Sequence, residues 1–252
     1  MIAFSRRRML CGGLLVLLEM DAPCCALGAT EHNSGCYVPR EAAPAFFQRA
    51  GTARLYETGA ENMETNSGDR QLDQALAQTL AKLCRTWNVL PGFSYFREPG
   101  RENAYATPEP LLDRSDGTVL FGLQLLNRLL QLPEHRDAAI VAVCAHEFGH
   151  IVQFKRRLRD RLAPDLKQPF RAEQHADYLA GFYAGLRKLD RPDFPAVVFA
   201  STQRSFGTLQ RSSHGTGDER GEAVLEGFKA AYERRLSADD AVMEGFNFAM
   251  SR

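Results

Sequence analysis

The sequence predicts an α+β fold that is mainly helical, with a small sheet packed on one central helix. Apolar residues recur at three- and four-residue spacing over several stretches, a pattern typical of helices with one buried face. Three short strand-like pieces lie together between residues 93 and 121, separated by Pro, Gly and Asp. The run 138–158 is apolar enough to be a buried helix, and we expect it to be the central element.

The composition is that of a folded globular protein. The chain has 252 residues, of which 44% are hydrophobic and 25% are charged, values that exclude a disordered or collagen-like chain. Lys plus Arg is 31 and Asp plus Glu is 31, so no basic excess is present to neutralise a nucleic-acid backbone. We expect one domain of catalytic size and no nucleic-acid partner.

Residues 1–26 are predicted to be an export signal of the twin-arginine type. Residues 5–10 read Ser-Arg-Arg-Arg-Met-Leu, and the apolar stretch that they lead into is too short to span a bilayer. An uncleaved tail is the alternative. No later run is long and apolar enough to cross a membrane, so we expect an exported, periplasmic protein without an integral span.

Cleavage after residue 26 would leave three cysteines, Cys36, Cys84 and Cys144. Three cysteines are too few for a disulfide framework and allow one bridge at most. Cys144 lies in an apolar helical run, where a cysteine usually acts as a small buried hydrophobe.

The remaining elements follow in order along the chain. Residues 27–69 are rich in Gly, Ala, Thr, Asn and Glu and are predicted to be an irregular lead-in with one short helix at 42–49. The domain proper is expected to span 70–252 and to begin with an amphipathic helix at 70–87. Strands are predicted at 93–97, 103–107 and 117–121 and further helices at 123–132, 138–158 (capped by Asp137), 171–188, 219–236 and 238–250, with a linker at 191–195.

The central helix contains the motif His-Glu-x-x-His at residues 146–150. Positions four apart share one face of a helix, so His146 and His150 can both direct a ring nitrogen to one metal ion. Glu147 then lies beside the metal, where a carboxylate can take a proton from water. The spacing therefore predicts a hydrolytic zinc site.

A catalytic zinc of this kind needs a third protein ligand. Gln153 and Arg156 stand where the metzincin extension would have Gly and His, so that class is excluded. On the next predicted helix, Glu173 and Asp177 are four residues apart and share a face. We expect Glu173 to be the third ligand and Asp177 to accept the outer N–H of a ligand histidine. His175 points elsewhere on that helix.

The region 103–153 resembles the gluzincin peptidases of the HtpX and CAAX-prenyl-protease kind. Asn103-Ala-Tyr-Ala resembles their Asn-Ala-Phe/Tyr segment, 117–122 their edge strand, 138–150 their zinc helix, and 173–177 their Glu-x-x-Ala-Asp segment. The resemblance covers about half of the chain. It implies a zincin-like metallopeptidase domain in which the sheet packs on the zinc helix, in a branch without membrane spans.

A second, shorter similarity lies near the C-terminus. Residues 213–216, Ser-His-Gly-Thr, with Arg220 resemble the His-Pro/Gly…Arg element of these families and of the neutral zinc metallopeptidases. The resemblance implies that His214 donates a hydrogen bond to the developing oxyanion and that Arg220 orients a neighbour. The alternative is a surface loop at the start of a helix.

The expected function is that of a zinc-dependent endopeptidase with one zinc ion per chain, held by His146, His150 and Glu173, and with Glu147 as general base. The substrate would be an extended polypeptide. We expect it to add as a strand to the 117–121 edge, and the candidate substrate-binding residues are Asn103, Gly117, Thr118 and Val119.

Three alternatives stay open. A metal-binding, chaperone-like or inactive peptidase domain would share the site, and so would a zinc amidase that acts on cell-wall material. The ligand types also admit cobalt, manganese or iron. The sequence predicts no oligomeric state.

Overall fold

A computed structural model describes residues 36–61, 66–165, 168–207 and 214–252. They form a mainly helical α+β fold with a three-stranded sheet. The strands are β1 (Gly92–Phe96), β2 (Ala104–Thr107) and β3 (Thr118–Gly122). The helices are α1 (Ala43–Phe47), α2 (Arg70–Trp87), α3 (Leu123–Leu130), α4 (Arg136–Lys155), α5 (Arg159–Leu162), α6 (Phe170–Asp190), α7 (Val197–Phe206), α8 (Gly217–Tyr232) and α9 (Ala238–Met250). The predicted export signal, residues 1–26, lies outside the described residues.

The sheet has the order β1-β3-β2, with β3 parallel to β1 and antiparallel to β2. Val119 in the middle of β3 is opposite Phe93 on one side and Ala106 on the other. The prediction that 117–121 forms an edge strand is therefore wrong. The backbone N–H and C=O groups of β3 are shared between two neighbouring strands, so no row of them is available to a substrate.

The described part of the predicted irregular lead-in pairs with both edges of the sheet. Tyr37 forms a parallel bridge with Ala106 of β2, whereas Ala50 and Arg54 form antiparallel bridges with β1. Residues 36–61 therefore pack in the same compact unit as the rest of the described chain. Their covering of the edges satisfies backbone groups that the three short strands leave unpaired.

The long helices begin and end close to the predicted residues, with two corrections. Asp137 does not cap α4, because the helix begins one residue earlier, after His135 in the left-handed region (φ 52°). The predicted helix 138–158 also ends early, at Lys155, and α5 is a separate short helix that begins at Arg159. Arg157 is left-handed (φ 55°), and Leu158 N–H donates to the Gln153 carbonyl at 2.8 Å, which closes the end of α4.

Helix α7 was not predicted from the sequence, which indicated only a linker at 191–195. The helix has a weak apolar stripe, because Val197 is 76% exposed and two of its three buried residues are polar, Thr202 and Gln203. A helix without an apolar face gives little periodic signal. Its buried glutamine nevertheless contacts the site described below.

The core is built by α4, α6 and α8 around the sheet and α2. Helices α6 and α8 approach closely at Gly227, where a Cβ atom would lie 1.8 Å from the carbonyl oxygen of Tyr178. This approach packs the second half of α8 against the middle of α6. Among the described residues, no helix is both long enough and apolar enough to cross a membrane.

Candidate metal centre

Three groups from α4 and α6 converge in the buried core. His146 Nε2 lies 3.2 Å from His150 Nε2 and 3.3 Å from Glu173 Oε2, and His150 Nε2 lies 3.4 Å from Glu173 Oε1. A tetrahedral zinc site with bonds of about 2.0–2.1 Å separates its ligand atoms by about 3.3–3.4 Å. The spacing of the three groups therefore fits a tetrahedral metal ion.

The hydrogen bonds of the outer ring nitrogens determine which histidine nitrogen faces the others. His146 Nδ1 lies 2.7 Å from Asp177 Oδ1, an atom that can only accept, so Nδ1 carries the proton. Asp177 in turn accepts from Arg220 Nε at 2.8 Å and from Arg220 Nη2 at 2.9 Å. Arg220 Nη2 also donates to Gln203 Oε1 at 2.7 Å, which anchors the guanidinium to α7.

His150 is oriented by a different chain of hydrogen bonds. Gln153 Nε2 donates to the Ala172 carbonyl at 2.7 Å and to His175 Nδ1 at 3.1 Å, which turns Gln153 Oε1 toward His150 Nδ1 at 3.1 Å. His150 Nδ1 therefore donates, and its Nε2 lone pair faces inward. His175 is buried rather than exposed and donates from Nε2 to the Val242 carbonyl.

Both tautomers leave the Nε2 lone pairs of His146 and His150 directed at each other and at the Glu173 carboxylate. The two ring nitrogens and the two carboxylate oxygens lie 3.2–3.4 Å apart in the three contacts between the groups, and such buried acceptors repel one another unless a proton or a metal ion lies among them. The donor set, two imidazoles and one carboxylate, is the one that zinc takes in catalytic sites. The residues present therefore fit a zinc ion.

The close approach of α4 to α6 depends on Gly149 inside the His-Glu-x-x-His motif. A Cβ atom at this position would lie 2.9 Å from Ala176 Cα, nearer than side chains pack against backbone. With only hydrogen at Gly149, α6 can approach closely enough for Glu173 to reach both histidines.

Glu147 lies next to these groups and is buried. Its Oε2 atom has no hydrogen-bond partner among the described residues. Burial raises the pKa of Glu147 to about 8, although His146 opposes the shift. A buried carboxylate oxygen without a partner is costly, which is typical of a group that acts on a bound molecule.

Cys36 is the fourth potential ligand, and no motif or spacing in the sequence indicated it. Its Sγ atom and the ligand atoms of the three metal-binding candidates, His146, His150 and Glu173, all lie within 4.8 Å of one another. The backbone N–H of Cys36 donates to Glu173 Oε1 at 3.1 Å. Burial, with the nearby carboxylates, raises the pKa of the Cys36 thiol well above its usual value.

Charges compensate each other across the site. Burial disfavours the ionised form of Glu173, but His214 and His150 hold its pKa well below the usual value. Asp177 is likewise kept ionised despite burial, mainly by Arg220. Burial lowers the pKa of His146, but Asp177 outweighs it and raises the value to about 10. Glu173 and Asp177 are thus both ionised, which suits the site to a cation.

His214 reaches the site from the loop before α8. Its Nδ1 lies 3.0 Å from Glu173 Oε2 and 4.0 Å from Cys36 Sγ, and its side chain is 24% exposed. The Thr216–Glu219 capping box starts α8 immediately afterwards and directs Arg220 inward. Ser213 of the same motif lies outside the described residues.

The structure does not bring the four predicted substrate-binding residues into the site in that role. Thr118 Oγ1 bridges Glu109 O and Leu111 N, and Val119 is fully buried in the core. Gly117 is left-handed (φ 115°) and its carbonyl accepts from Gly92 N–H, whereas the Asn103 carbonyl accepts from Gly122 N–H. All four support the sheet, because β3 is its central strand.

Comparisons with family models, with curated proteins and with solved structures find no match for this chain.

Proposed function

We propose that this protein is a zinc-dependent endopeptidase with Glu147 as general base. One observation carries the proposal: a buried carboxylate oxygen of Glu147 has no partner among the described residues, and it lies beside three side chains whose ligand atoms approach one another to 3.2–3.4 Å. A purely structural metal site has no use for a buried carboxylate that is not a ligand.

The chemistry divides between the metal and the chain. A bound zinc ion would supply Lewis acidity, which polarises a scissile carbonyl and makes water more acidic. Glu147 is placed to take the proton of that water at Oε2 and to pass it to the leaving amine.

The surrounding residues hold the ligands in place. Asp177 fixes the tautomer of His146, and Arg220 keeps Asp177 in position through two hydrogen bonds. His214 donates from Nδ1 to Glu173 Oε2, and we propose that this hydrogen bond helps to hold the third ligand in place.

The outer edge of β2, instead of β3, is the proposed place for an extended substrate. Cys36 and Val38 are hydrogen-bonded to Ala106 at this edge, and the Cys36 side chain reaches the metal-ligand cluster. A peptide added here as a strand would therefore pass beside the cluster.

A closed, non-catalytic metal site is the rival, and Cys36 favours it. Four protein ligands are typical of structural zinc, whereas a catalytic site keeps one position open. A zinc amidase acting on cell-wall material would share the same groups. We prefer the peptidase because Glu147 would have no function in a closed site.

The test uses four proteins: the natural chain and Cys36→Ala, each with and without Glu147→Gln. Zinc is measured by elemental analysis, and cleavage is measured with casein and with a cell-wall substrate. We expect one zinc in every protein, and a fall in casein cleavage of about 10²–10⁴-fold on Glu147→Gln. Glu134→Gln, an exposed position just before α4, is the control.

The proposal fails if the folded protein binds no zinc or if, in the Cys36→Ala background, Glu147→Gln cleaves casein as fast as its parent. It also fails if neither Glu147-containing protein cleaves casein. Cleavage of the cell-wall substrate alone would replace the peptidase with the amidase.

A further inference from the structure

Among the four candidate metal-ligating residues, Cys36 is the one that does not lie on a core helix. His146 and His150 lie on α4 and Glu173 lies on α6, both helices of the core. Cys36 lies on an extended segment that joins the sheet through one bridge, between Tyr37 and Ala106. It is therefore the one candidate ligand, among the described residues, whose removal from the site need not disturb the helices.

The segment 36–38 occupies the outer edge of β2. Ala106 N–H donates to the Cys36 carbonyl at 2.9 Å, and Val38 N–H donates to the Ala106 carbonyl at 2.9 Å. These are the backbone groups that an added substrate strand would need. The segment runs parallel to β2 and blocks them.

The side chains of the segment are anchored on both sides of the sheet edge. The Tyr37 ring lies 5.5 Å from the Phe154 ring, and the Arg159 guanidinium stacks 4.6 Å over it. Cys36 and Val38 are 5% and 3% exposed. These contacts hold the Cys36 sulfur within 4.8 Å of the ligand atoms of His146, His150 and Glu173.

We infer that Cys36 is the fourth ligand of the bound metal and that residues 36–38 hold the protein in a latent form, with the metal capped and the β2 edge covered. The latency part rests on the proposed function. Three ligands from α4 and α6 leave one position open on a tetrahedral ion, and a thiolate there excludes water. The switch is a ligand exchange without change of oxidation state.

In the capped form the Cys36 S–H bond is broken, its proton is released to solvent, and a sulfur–metal bond is present. On release that bond breaks, the sulfur regains a proton, and an oxygen ligand from water or substrate takes the position. Withdrawal of the segment at the same time frees the backbone groups of Ala106. One movement thus frees both a coordination position on the metal and the backbone groups of the substrate-binding edge.

The test replaces zinc with Co²⁺ in the full chain and records its absorption spectrum. A thiolate ligand gives a sulfur-to-cobalt charge-transfer band in the near ultraviolet. We expect this band in the natural chain and its loss in Cys36→Ala and Cys36→Ser. Cys84→Ala, another buried free cysteine, is the matched control and should keep the band.

The same samples are then titrated with acetohydroxamate, a small bidentate metal ligand. We expect the visible cobalt spectrum to change in the two Cys36 variants and to stay unchanged in the natural chain and in Cys84→Ala. The inference is overturned if the natural chain shows no charge-transfer band, if the band survives in both Cys36 variants, or if acetohydroxamate changes all the spectra equally.

Casein cleavage by the same proteins separates this inference from the proposed function. If the cobalt results are as expected and Cys36→Ala cleaves casein faster than the natural chain, the latent form is supported. If the cobalt results are as expected but no protein cleaves casein, Cys36 caps the metal and the endopeptidase proposal fails. If the natural chain cleaves casein as fast as Cys36→Ala, latency is overturned.

Discussion

Asp177 Oδ1 lies 2.7 Å from His146 Nδ1, and the same carboxylate accepts from Arg220, so one buried carboxylate joins the His-Glu-x-x-His motif of α4 to α8. The contact fixes the ring so that Nε2 faces the ligand cluster. Because Asp177 and Glu173 are four residues apart on α6, the same helix supplies both a ligand and the group that orients another ligand.

Asp177→Asn should weaken zinc binding by about 10–100-fold, since the amide can present an N–H to His146 and favour the wrong tautomer. The measurement is competition with a chromophoric chelator. Asp193→Asn is the control, because Asp193 is 78% exposed and pairs only with Arg191 on the surface. Equal affinity in both variants would mean that the His146–Asp177 contact does not orient the ligand.

Arg220→Met should lower the free energy of unfolding by about 3–5 kcal/mol, because it leaves the Asp177 carboxylate buried without its partner. Both side chains are 2% exposed or less, so water cannot replace the lost charge. Urea unfolding of the zinc-loaded protein measures the change. Arg234→Met removes a half-exposed pair with Glu244 and should cost no more than about 1 kcal/mol. A similar small loss in Arg220→Met would contradict this account.

The sequence predicts the local part of the site well. The placing of His146 and His150 follows from spacing within one helix, where 3.6 residues per turn fixes which side chains share a face. Gln153 could have been found in the same way, because it lies three residues after His150. The similarity at residues 213–216 also indicated His214, which the structure places beside Glu173.

Long-range relationships could not be found in this way. Cys36 and Glu173 are 137 residues apart, and they meet only because residues 36–38 pair with β2. The strand order β1-β3-β2 likewise leaves no trace in hydrophobic periodicity, since both edge and central strands are buried here. For this reason the sequence predicted an edge position for the central strand.

Gly149→Ala should weaken zinc binding and lower stability. Alanine favours a helix over glycine by about 1 kcal/mol, but its Cβ would meet the backbone of Ala176 at 2.9 Å and force α4 and α6 apart, at about 1–3 kcal/mol. The separation would move Glu173 away from both histidines. Zinc affinity and urea unfolding measure the two effects.

Gly100→Ala is the control for this substitution, because a Cβ atom there has no neighbour within 4 Å among the described residues. It should leave zinc affinity unchanged. If Gly149→Ala binds zinc as tightly as this control, the close approach of the two helices is not what brings the ligands together.

Glu61→Gln should destabilise the protein at neutral pH and have a smaller effect in acid. Burial opposes ionisation of Glu61, but N–H groups of Thr58 and Gly59 donate to its carboxylate and lower its pKa to about 2. A carboxylate whose folded pKa is below its unfolded value stabilises the fold above the unfolded pKa of about 4.5.

That contribution is lost as the pH falls from about 4.5 toward 2. The difference in unfolding free energy between the natural chain and Glu61→Gln, measured with urea, should therefore shrink steadily below pH 4.5. Both proteins are compared without metal, so that loss of zinc in acid does not contribute. A difference that is constant with pH would show that the ionised carboxylate does not hold this turn.

Tyr37→Ala should loosen the segment that carries Cys36. It removes the ring contacts with Phe154 and Arg159 while leaving the sulfur and the backbone bonds to Ala106 in place. A loss of one or two kcal/mol of anchoring would raise the open population by roughly 5–30-fold. Reaction of the zinc-loaded protein with an aromatic disulfide, with Cys36 identified by peptide mapping, should accelerate by the same factor.

Tyr232→Ala, which removes a half-exposed ring stacked on Phe228, should leave the Cys36 rate unchanged. If both variants react at the natural rate, the Tyr37 contacts do not control access to Cys36, and the segment opens by a route that leaves them intact.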